Sequence, residues 1–156
     1  MKKFEVPEHY RSTILGRIKE IRKLNDPRKK DHTPFVFQVG KTEIIIPRHF
    51  GFCYGVENAI EIAFRTVTEN PGKRIFLLGE MIHNPQVNED LLAEGIQFWV
   101  DNHGSRLLDF STLSSDDIVI TPAFGTTLEM AAELAQLGVQ LERYNTTCPF
   151  VERVWK

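Results

Sequence analysis

Strand-like apolar runs alternate with helix-like segments along most of this chain, and this alternation limits its possible folds more than any other feature. Short apolar runs at 75–78 and 118–120 are each followed by a segment with helical spacing. The clearest helix spans 55–69, where apolar residues recur three and four positions apart. Alternating strands and helices predict an α/β fold with a parallel sheet and right-handed crossovers.

We predict a parallel sheet of about four strands with flanking helices. The strand-like runs lie at 42–47, 75–78, 118–120 and 139–144, with a possible further short strand at 96–100. Further helices are expected to start at Asn84-Pro85, at Thr126 or Thr127, and at Pro149.

Three stretches of the chain are distinguished by composition and pattern. Residues 1–40 are predicted to form a basic helical extension and linker, and residues 41–148 an α/β domain carrying both cysteines. Residues 149–156 would begin a helix leading into a missing domain. Because that helix has barely begun at Lys156, we expect the sequence to be partial.

The composition excludes several classes of protein. No apolar run approaches the roughly 20 residues of a membrane span, and no signal-peptide pattern is present, so no membrane partner is expected. Residues 1–31 hold 10 Lys/Arg against 5 Asp/Glu, but the remainder holds 9 against 16, and an acidic body argues against nucleic-acid binding. Two distant cysteines do not make a secreted disulfide framework, so a cytoplasmic protein is expected.

Each of the two cysteines lies where a strand-like run passes into a helix. Cys53 follows Ile44-Ile45-Ile46, and Cys148 follows Val139-Gln140-Leu141. A thiol at a helix N-terminus faces unpaired N–H groups and the positive end of the dipole, which favours the thiolate that binds metal or attacks. No Cys-x-x-Cys pair indicates zinc, and an iron–sulfur cluster would need a further ligand from outside this chain. Two buried structural thiols are the alternative.

Four connections are predicted to meet at one edge of the sheet, because ligands of parallel sheets gather beyond the carboxyl ends of the strands. They carry Cys53, His83, the segment 123–125 and Cys148. His83 and Asn84 stand at a helix entry, where an imidazole and N–H donors suit a phosphate. Alternatively, Asn84 only caps the helix and His83 is an ordinary loop residue. No glycine-rich nucleotide motif is present.

Three motifs, in this order and spacing, resemble a known family. They are Gly51-Phe52-Cys53-Tyr54-Gly55-Val56, Glu80-Met81-Ile82-His83-Asn84 and Thr147-Cys148-Pro149-Phe150-Val151. Together they resemble 4-hydroxy-3-methylbut-2-enyl diphosphate reductase, the iron–sulfur oxidoreductase that ends the methylerythritol phosphate route to isoprenoids. The resemblance runs from about Ile44 to the last residue and covers only the N-terminal portion of such enzymes.

The resemblance implies a specific architecture and reaction. Family members have three similar α/β domains around a 4Fe-4S cluster held by three cysteines. Cys53 and Cys148 match the first two cluster ligands, the third is absent from this chain, and His83 matches a histidine that binds the substrate diphosphate. Asn84 would either support His83 in that role or cap the helix that follows. The family removes a hydroxyl reductively to give isopentenyl and dimethylallyl diphosphates, with electrons from ferredoxin or flavodoxin.

One segment departs from the family's pattern. The family commonly has Ala-His-Gly after its third strand, whereas this chain has Ala123-Phe124-Gly125. Either another donor such as Thr126 or Thr127 replaces the missing contact, or the affinity for the diphosphate is altered. The acidic proton-relay residue of the family lies beyond Lys156, so no catalytic residue is expected in this chain and the fragment alone should be inactive. A degenerate diphosphate- or redox-sensing module and a dithiol oxidoreductase stay open as alternatives.

Overall fold

A computed structural model of the protein describes residues 13–28, 30–101 and 103–155. The described residues divide into two compact units, of which one ends at Phe52 and the other begins at Cys53. Among these residues, no helix is both long enough and apolar enough to cross a bilayer. The first twelve residues of the predicted basic extension lie outside the described part of the chain.

The smaller unit consists of one helix and one β-hairpin. Helix α1 spans Thr13–Asn25, and strands β1 (Phe35–Val39) and β2 (Thr42–Ile46) pair antiparallel. Helix α1 lies within the segment 1–40, for which a basic helical extension was predicted. Among the apolar residues of this helix, Ile18 is buried, while Ile14 and Leu24 are exposed.

Strand β2 is not the first strand of the parallel sheet that the sequence analysis predicted. It pairs with β1 through the two-residue connection Gly40-Lys41, in which Gly40 has a φ of +61°. A short turn with a left-handed glycine joins neighbouring antiparallel strands, and this local pairing takes precedence over a distant parallel one.

The larger unit is an α/β domain, which confirms the predicted fold class. Its elements in chain order are α2 (Tyr54–Glu69), β3 (Ile75–Leu77), α3 (Pro85–Ala93), β4 (Gln97–Phe98), β5 (Ile118–Ile120), α4 (Leu128–Gln136) and α5 (Pro149–Trp155). The sheet has the order β4-β3-β5 with every pair parallel. Helix α3 connects β3 to β4, whereas the connection from β4 to β5 contains only a 3₁₀ turn at Phe110–Thr112. All residues of β3 and β5 are buried, as a central parallel sheet requires.

The strand predicted at 139–144 is absent, so the parallel sheet has three strands in the described residues rather than about four. Val139 is buried in the core, but Glu142–Tyr144 form a single 3₁₀ turn. Only an isolated parallel bridge between Asn145 and Thr121 extends the pairing. Charged residues at 142 and 143 interrupt the apolar run before it is long enough to form a ladder.

Trp99 is the centre of the main apolar cluster of the larger unit. It is fully buried, stacks on Phe110 at a ring-centroid distance of 4.8 Å, and meets Phe76 edge-on at 5.2 Å. Aromatic pairs of this geometry stabilise by about 1 kcal/mol beyond their buried area. Residues of β3 and β5 belong to this cluster, so the strands that lead to the candidate site are anchored in the core.

Candidate functional site

Main-chain hydrogen bonds tie together three loops at the carboxyl ends of β3 and β5. The amide of Ala123 donates to the carbonyl of Met81 at 3.3 Å, and the amide of Cys148 donates to the carbonyl of Ala123 at 2.9 Å. The loops that carry His83, Phe124 and Cys148 are thus joined through their backbones. These two bonds form what we call the loop ladder.

Thr146 reinforces the loop ladder from the buried side. Its side chain is almost completely buried, and its hydroxyl donates to the carbonyl of Thr121 while lying 3.6 Å from the sulfur of Met81. A buried hydroxyl without a partner is unfavourable, so this bond fixes the loop before Cys148. Sequence reasoning missed Thr146, because threonine next to a cysteine motif reads as an ordinary loop residue.

Gly55 brings the start of helix α2 against Cys148. A methyl group at Gly55 would overlap Cys148 Sγ and would stand 3.0 Å from Cys148 Cβ. Cys53 is two residues before Gly55, so their Cα atoms lie within about 7 Å of each other. The structure therefore brings the segments that carry the two cysteines together, although β2 does not belong to the parallel sheet.

The two cysteines differ in exposure and are both free thiols. Cys53 is the exposed N-cap residue of α2, and its side chain makes no capping hydrogen bond within the described residues. Cys148 is buried, and its carbonyl accepts hydrogen bonds from Val151 and Glu152 at the start of α5. Neither thiol is therefore needed to cap its helix.

These residues fit an iron–sulfur cluster as part of a ligand set. Thiolates are the usual ligands of such clusters. The absence of a β-carbon at Gly55 allows Cys148 Sγ to pack against the start of α2, close in sequence to Cys53. Across residues 13–28, 30–101 and 103–155, however, no group of three or more His, Cys, Asp and Glu side chains is arranged to hold a metal ion. In the described residues, the candidate cluster donors are the thiols of Cys53 and Cys148.

His83 lies on the loop after β3 and contacts two side chains. Its Nδ1 is 3.3 Å from Oε2 of Glu80, and its ring stacks on Phe124 with centroids 4.7 Å apart and planes inclined by 25°. The imidazole is largely exposed. Phe124 is 42% exposed and covers the histidine ring instead of filling the core.

Buried Asn88 fixes the loop that carries His83. Its Oδ1 accepts from the amide of Met81 at 3.1 Å, and its Nδ2 donates to the carbonyl of Ile82 at 3.0 Å. Sequence reasoning missed Asn88. The signal was its position on α3 beside Val87 and Leu91, since a polar residue on the inward face of a helix needs a buried partner.

The other two predicted substrate contacts lie at helix entries. Asn84 is the N-cap of α3, and its Oδ1 accepts from the amide of Val87 at 3.3 Å. Thr127 rather than Thr126 caps α4, through an acceptor bond from the amide of Met130 at 3.2 Å. Thr126 is half-buried beside Phe124 and is not used as the cap.

The fold and the site define a class: an α/β domain in which the loop carrying His83 is bonded to the loops carrying Phe124 and Cys148, and the start of the helix that Cys53 caps packs against Cys148. The LytB protein family matches residues 44–156, and the chain belongs to this family. The resemblance identified from the three motifs is thereby confirmed.

Two similar curated proteins share one name. The 4-hydroxy-3-methylbut-2-enyl diphosphate reductase of Prochlorococcus marinus (strain MIT 9313) is 35% identical over 146 residues, which are 94% of this chain and 33% of the relative. The reductase of the same name from Cyanothece sp. (strain PCC 7425 / ATCC 29141) is 37% identical over 94% of this chain and 32% of the relative. The chain thus spans about a third of the length of the curated relatives it matches.

Two solved structures share the fold. The structure of (E)-4-hydroxy-3-methyl-but-2-enyl diphosphate reductase, described as the terminal enzyme of the non-mevalonate pathway, matches with a TM-score of 0.50 at 28% identity, covering 67% of this chain and 33% of that one. The E-1-hydroxy-2-methyl-but-2-enyl-4-diphosphate reductase from Plasmodium falciparum matches with a TM-score of 0.55 at 25% identity, covering 67% and 29%.

Proposed function

We propose that this chain is part of an iron–sulfur reductase that removes the hydroxyl group of 4-hydroxy-3-methylbut-2-enyl diphosphate. The products would be isopentenyl and dimethylallyl diphosphates. The observation that carries the proposal is the packing of Gly55 against Cys148, because it brings cysteine-bearing segments almost a hundred residues apart to one place. Family membership and the names of the relatives support the substrate.

Each residue has a proposed role. Cys53 and Cys148 would hold two irons of a 4Fe-4S cluster, which when bound supplies electrons one at a time. His83 would bind the substrate diphosphate, supported by Asn84 at the start of α3 and by the hydroxyl of Thr126. No catalytic proton donor is proposed in this chain, and ferredoxin or flavodoxin would be the electron donor.

The proposed domain organisation follows from the same assignment. Residues 41–148 would form the first of three similar domains, preceded by the basic extension 1–40. Residues 149–156 would lead into the next domain, which would supply the third cluster thiolate. With two thiolates the 156-residue chain would hold a cluster weakly and would not turn over substrate.

Anaerobic reconstitution tests the metal-binding role. The 156-residue chain is incubated with ferrous iron and sulfide, and protein-bound iron and the brown absorbance are measured without exposure to air. We expect both to decrease in Cys53→Ser and in Cys148→Ser. His103→Gln, which changes an exposed side chain of the larger unit, is the matched control. Iron binding that survives both cysteine substitutions would contradict the cluster assignment.

Sequencing the DNA that follows the Lys156 codon would distinguish the reductase from the sensing module. A further α/β domain with a cysteine would support the reductase, whereas a stop codon would support a module that keeps the fold and binds a diphosphate. Phe124, which occupies a position where the family commonly has histidine, is the observation that favours the module.

A dithiol oxidoreductase is the other candidate, and the packing of Gly55 on Cys148 also favours it. This function predicts that mild oxidation joins Cys53 to Cys148 and that activity needs no iron. Mass spectrometry of peptides from the oxidised chain, without prior reduction, would detect that disulfide. If the disulfide does not form and iron binding depends on the cysteines, the reductase is favoured over the dithiol oxidoreductase.

A further inference from the structure

The imidazole of His83 is contacted at one ring nitrogen and on one face. Glu80 Oε2 lies 3.3 Å from Nδ1, and the Phe124 ring lies parallel within 25° at a centroid distance of 4.7 Å. The geometry points to Glu80 and Phe124 as positioning residues that aim Nε2 of His83 at a bound diphosphate. This inference rests on the diphosphate-binding role proposed for His83.

Phe124 is suited to hold the ring because its own backbone is fixed. The preceding residue, Ala123, takes part in both bonds of the loop ladder, and the amide of Gly125 donates to the carbonyl of Pro122 at 2.8 Å. A histidine this exposed would otherwise sample several rotamers. Stacking on a ring with a fixed base restricts rotation about both side-chain torsions of His83.

Glu80 is suited to select the nitrogen that faces the ligand. Its carboxylate can only accept, so the hydrogen bond requires a proton on Nδ1 of His83. The oxygens of a diphosphate also accept, so a contact to Nε2 requires a proton there as well. In this arrangement Nδ1 of His83 is directed to Glu80 and Nε2 is directed to the anion.

Positioning of this kind acts on affinity through entropy. Ordering a side chain when a ligand binds costs about 0.5–1.5 kcal/mol, and this cost is smaller when the side chain is already ordered. Loss of either positioning contact should therefore weaken diphosphate binding by roughly threefold to tenfold. Loss of His83 itself should weaken binding further.

Titration of the 156-residue chain with inorganic pyrophosphate, followed by calorimetry, tests the stack. We expect Phe124→Leu to weaken binding about fivefold and Phe124→Tyr, which keeps the ring, to bind as the unaltered chain does. Phe150→Leu is the matched control, since Phe150 is exposed in the same unit and does not contact His83 in the described contacts. The thermal midpoint should be the same in all three variants.

Two substitutions of Glu80 separate positioning from charge. Glu80→Gln and Glu80→Ala both remove a negative charge that repels the anion, but only glutamine keeps an acceptor for Nδ1. We expect Glu80→Ala to bind pyrophosphate about fivefold more weakly than Glu80→Gln. In ¹⁵N spectra of the pyrophosphate complex, both ring nitrogens of His83 should carry protons, with the signal assigned by its loss in His83→Gln.

The outcomes distinguish the two proposals. If His83→Gln weakens binding but Phe124→Leu does not, and Glu80→Ala equals Glu80→Gln, the positioning role is overturned and the function of His83 stands. If His83→Gln binds as the unaltered chain does, or if the unaltered chain shows no saturable binding, the diphosphate role fails and positioning fails with it. Equal loss in Phe124→Leu and Phe124→Tyr would also overturn the stack.

Discussion

At the scale of single residues, Gly55 has the clearest structural role. In an exposed helix, glycine is less favourable than alanine by about 1 kcal/mol. Here a β-carbon would overlap Cys148 Sγ, so the close approach of two segments outweighs helix propensity. A glycine in the first turn of a helix therefore indicates contact rather than weak helix formation.

We expect Gly55→Ala to destabilise the larger unit by about 1–3 kcal/mol, because Cys148 must rotate away or α2 must move back. Both tryptophans, Trp99 and Trp155, are in this unit, so fluorescence during urea denaturation measures the change. Gly16 is the control. It lies within α1 with no atom near the position of a β-carbon, so Gly16→Ala should increase helicity in far-UV circular dichroism. Equal stabilisation by both substitutions would contradict the packing argument.

We expect Asn88→Ala to destabilise the larger unit by about 1–3 kcal/mol, since it removes the partners of a buried amide at Met81 and a carbonyl at Ile82. Glu89→Ala, one position further along α3 and exposed, should change stability by less than about 0.5 kcal/mol. Thermal unfolding followed by tryptophan fluorescence measures both. Similar midpoints for the two variants would show that Asn88 does not hold the loop.

Sequence reasoning at this scale identified residues whose type already indicates chemistry. Cys53, Cys148 and His83 were selected because thiols and imidazoles at helix starts suit metals and anions, and their functional roles stay predictions. Asn88, Thr146 and Glu80 were not selected. Their roles depend on contacts with the backbone or with a side chain three residues away, which only the folded loops define.

At the scale of elements, one ion pair joins the starts of the neighbouring parallel strands β3 and β5. Arg74 precedes β3 and Asp117 precedes β5, and Arg74 Nε donates to Asp117 Oδ1 at 2.8 Å while Nη2 bonds Oδ2. Burial would raise the pKa of Asp117, but hydrogen bonds from Arg74 and from Ser114 outweigh it and hold this pKa below its ordinary value. The pair lies next to the Ile75–Ile118 register position.

Asp117 should make stability depend on pH in the acidic range. A carboxylate whose pKa is lower in the folded state stabilises the fold above its unfolded pKa of about 3.9, and this contribution is lost as the pH falls through the folded pKa. We expect Asp117→Asn to lower the thermal midpoint at pH 7 and to make the midpoint less sensitive to acid. Asp116→Asn, at an exposed neighbour, should keep the pH dependence of the unaltered chain. An unchanged acid profile in Asp117→Asn would contradict this assignment.

Helices and strands that are indicated by their own apolar spacing were predicted correctly. Strands that depend on which other strand they pair with were not. Helix α2 and strands β3 and β5 follow from apolar spacing alone, and the structure has them close to the predicted bounds. Whether an apolar run at 42–46 joins a parallel sheet or a hairpin depends on which partner is nearer in the chain. The run at 139–144 contained enough apolar residues to suggest a strand, but the charged residues Glu142 and Arg143 lie in a 3₁₀ turn, and only the bridge between Thr121 and Asn145 forms.

At the scale of the whole molecule, the two units differ in how much apolar surface they bury. Among the described residues of the smaller unit, only Ile18 and Ile46 are buried apolar residues, and the hairpin is mostly exposed. The larger unit has a continuous cluster around Trp99. An isolated two-stranded hairpin is at most marginally stable in water, so the two units should not have the same stability.

Hydrogen exchange measures this difference directly. We expect amides of β1 and β2 to exchange with solvent much earlier than those of β3 and β5, because local opening of the hairpin exposes little apolar surface. Amides of α2, which has a buried face, provide the internal reference for slow exchange. Equal protection of the hairpin and the parallel sheet would show that the chain unfolds as one cooperative body.

The loop ladder has a consequence for how this surface can diversify. It is built from amides and carbonyls of Met81, Ala123 and Cys148, none of which depends on the identity of the outward side chains. Residues such as His83 and Phe124 can therefore be exchanged for others while the scaffold beneath them keeps its shape. Substitutions at the outward side chains of these three loops would therefore change which ligand the loops bind before they changed the backbone conformation of the loops.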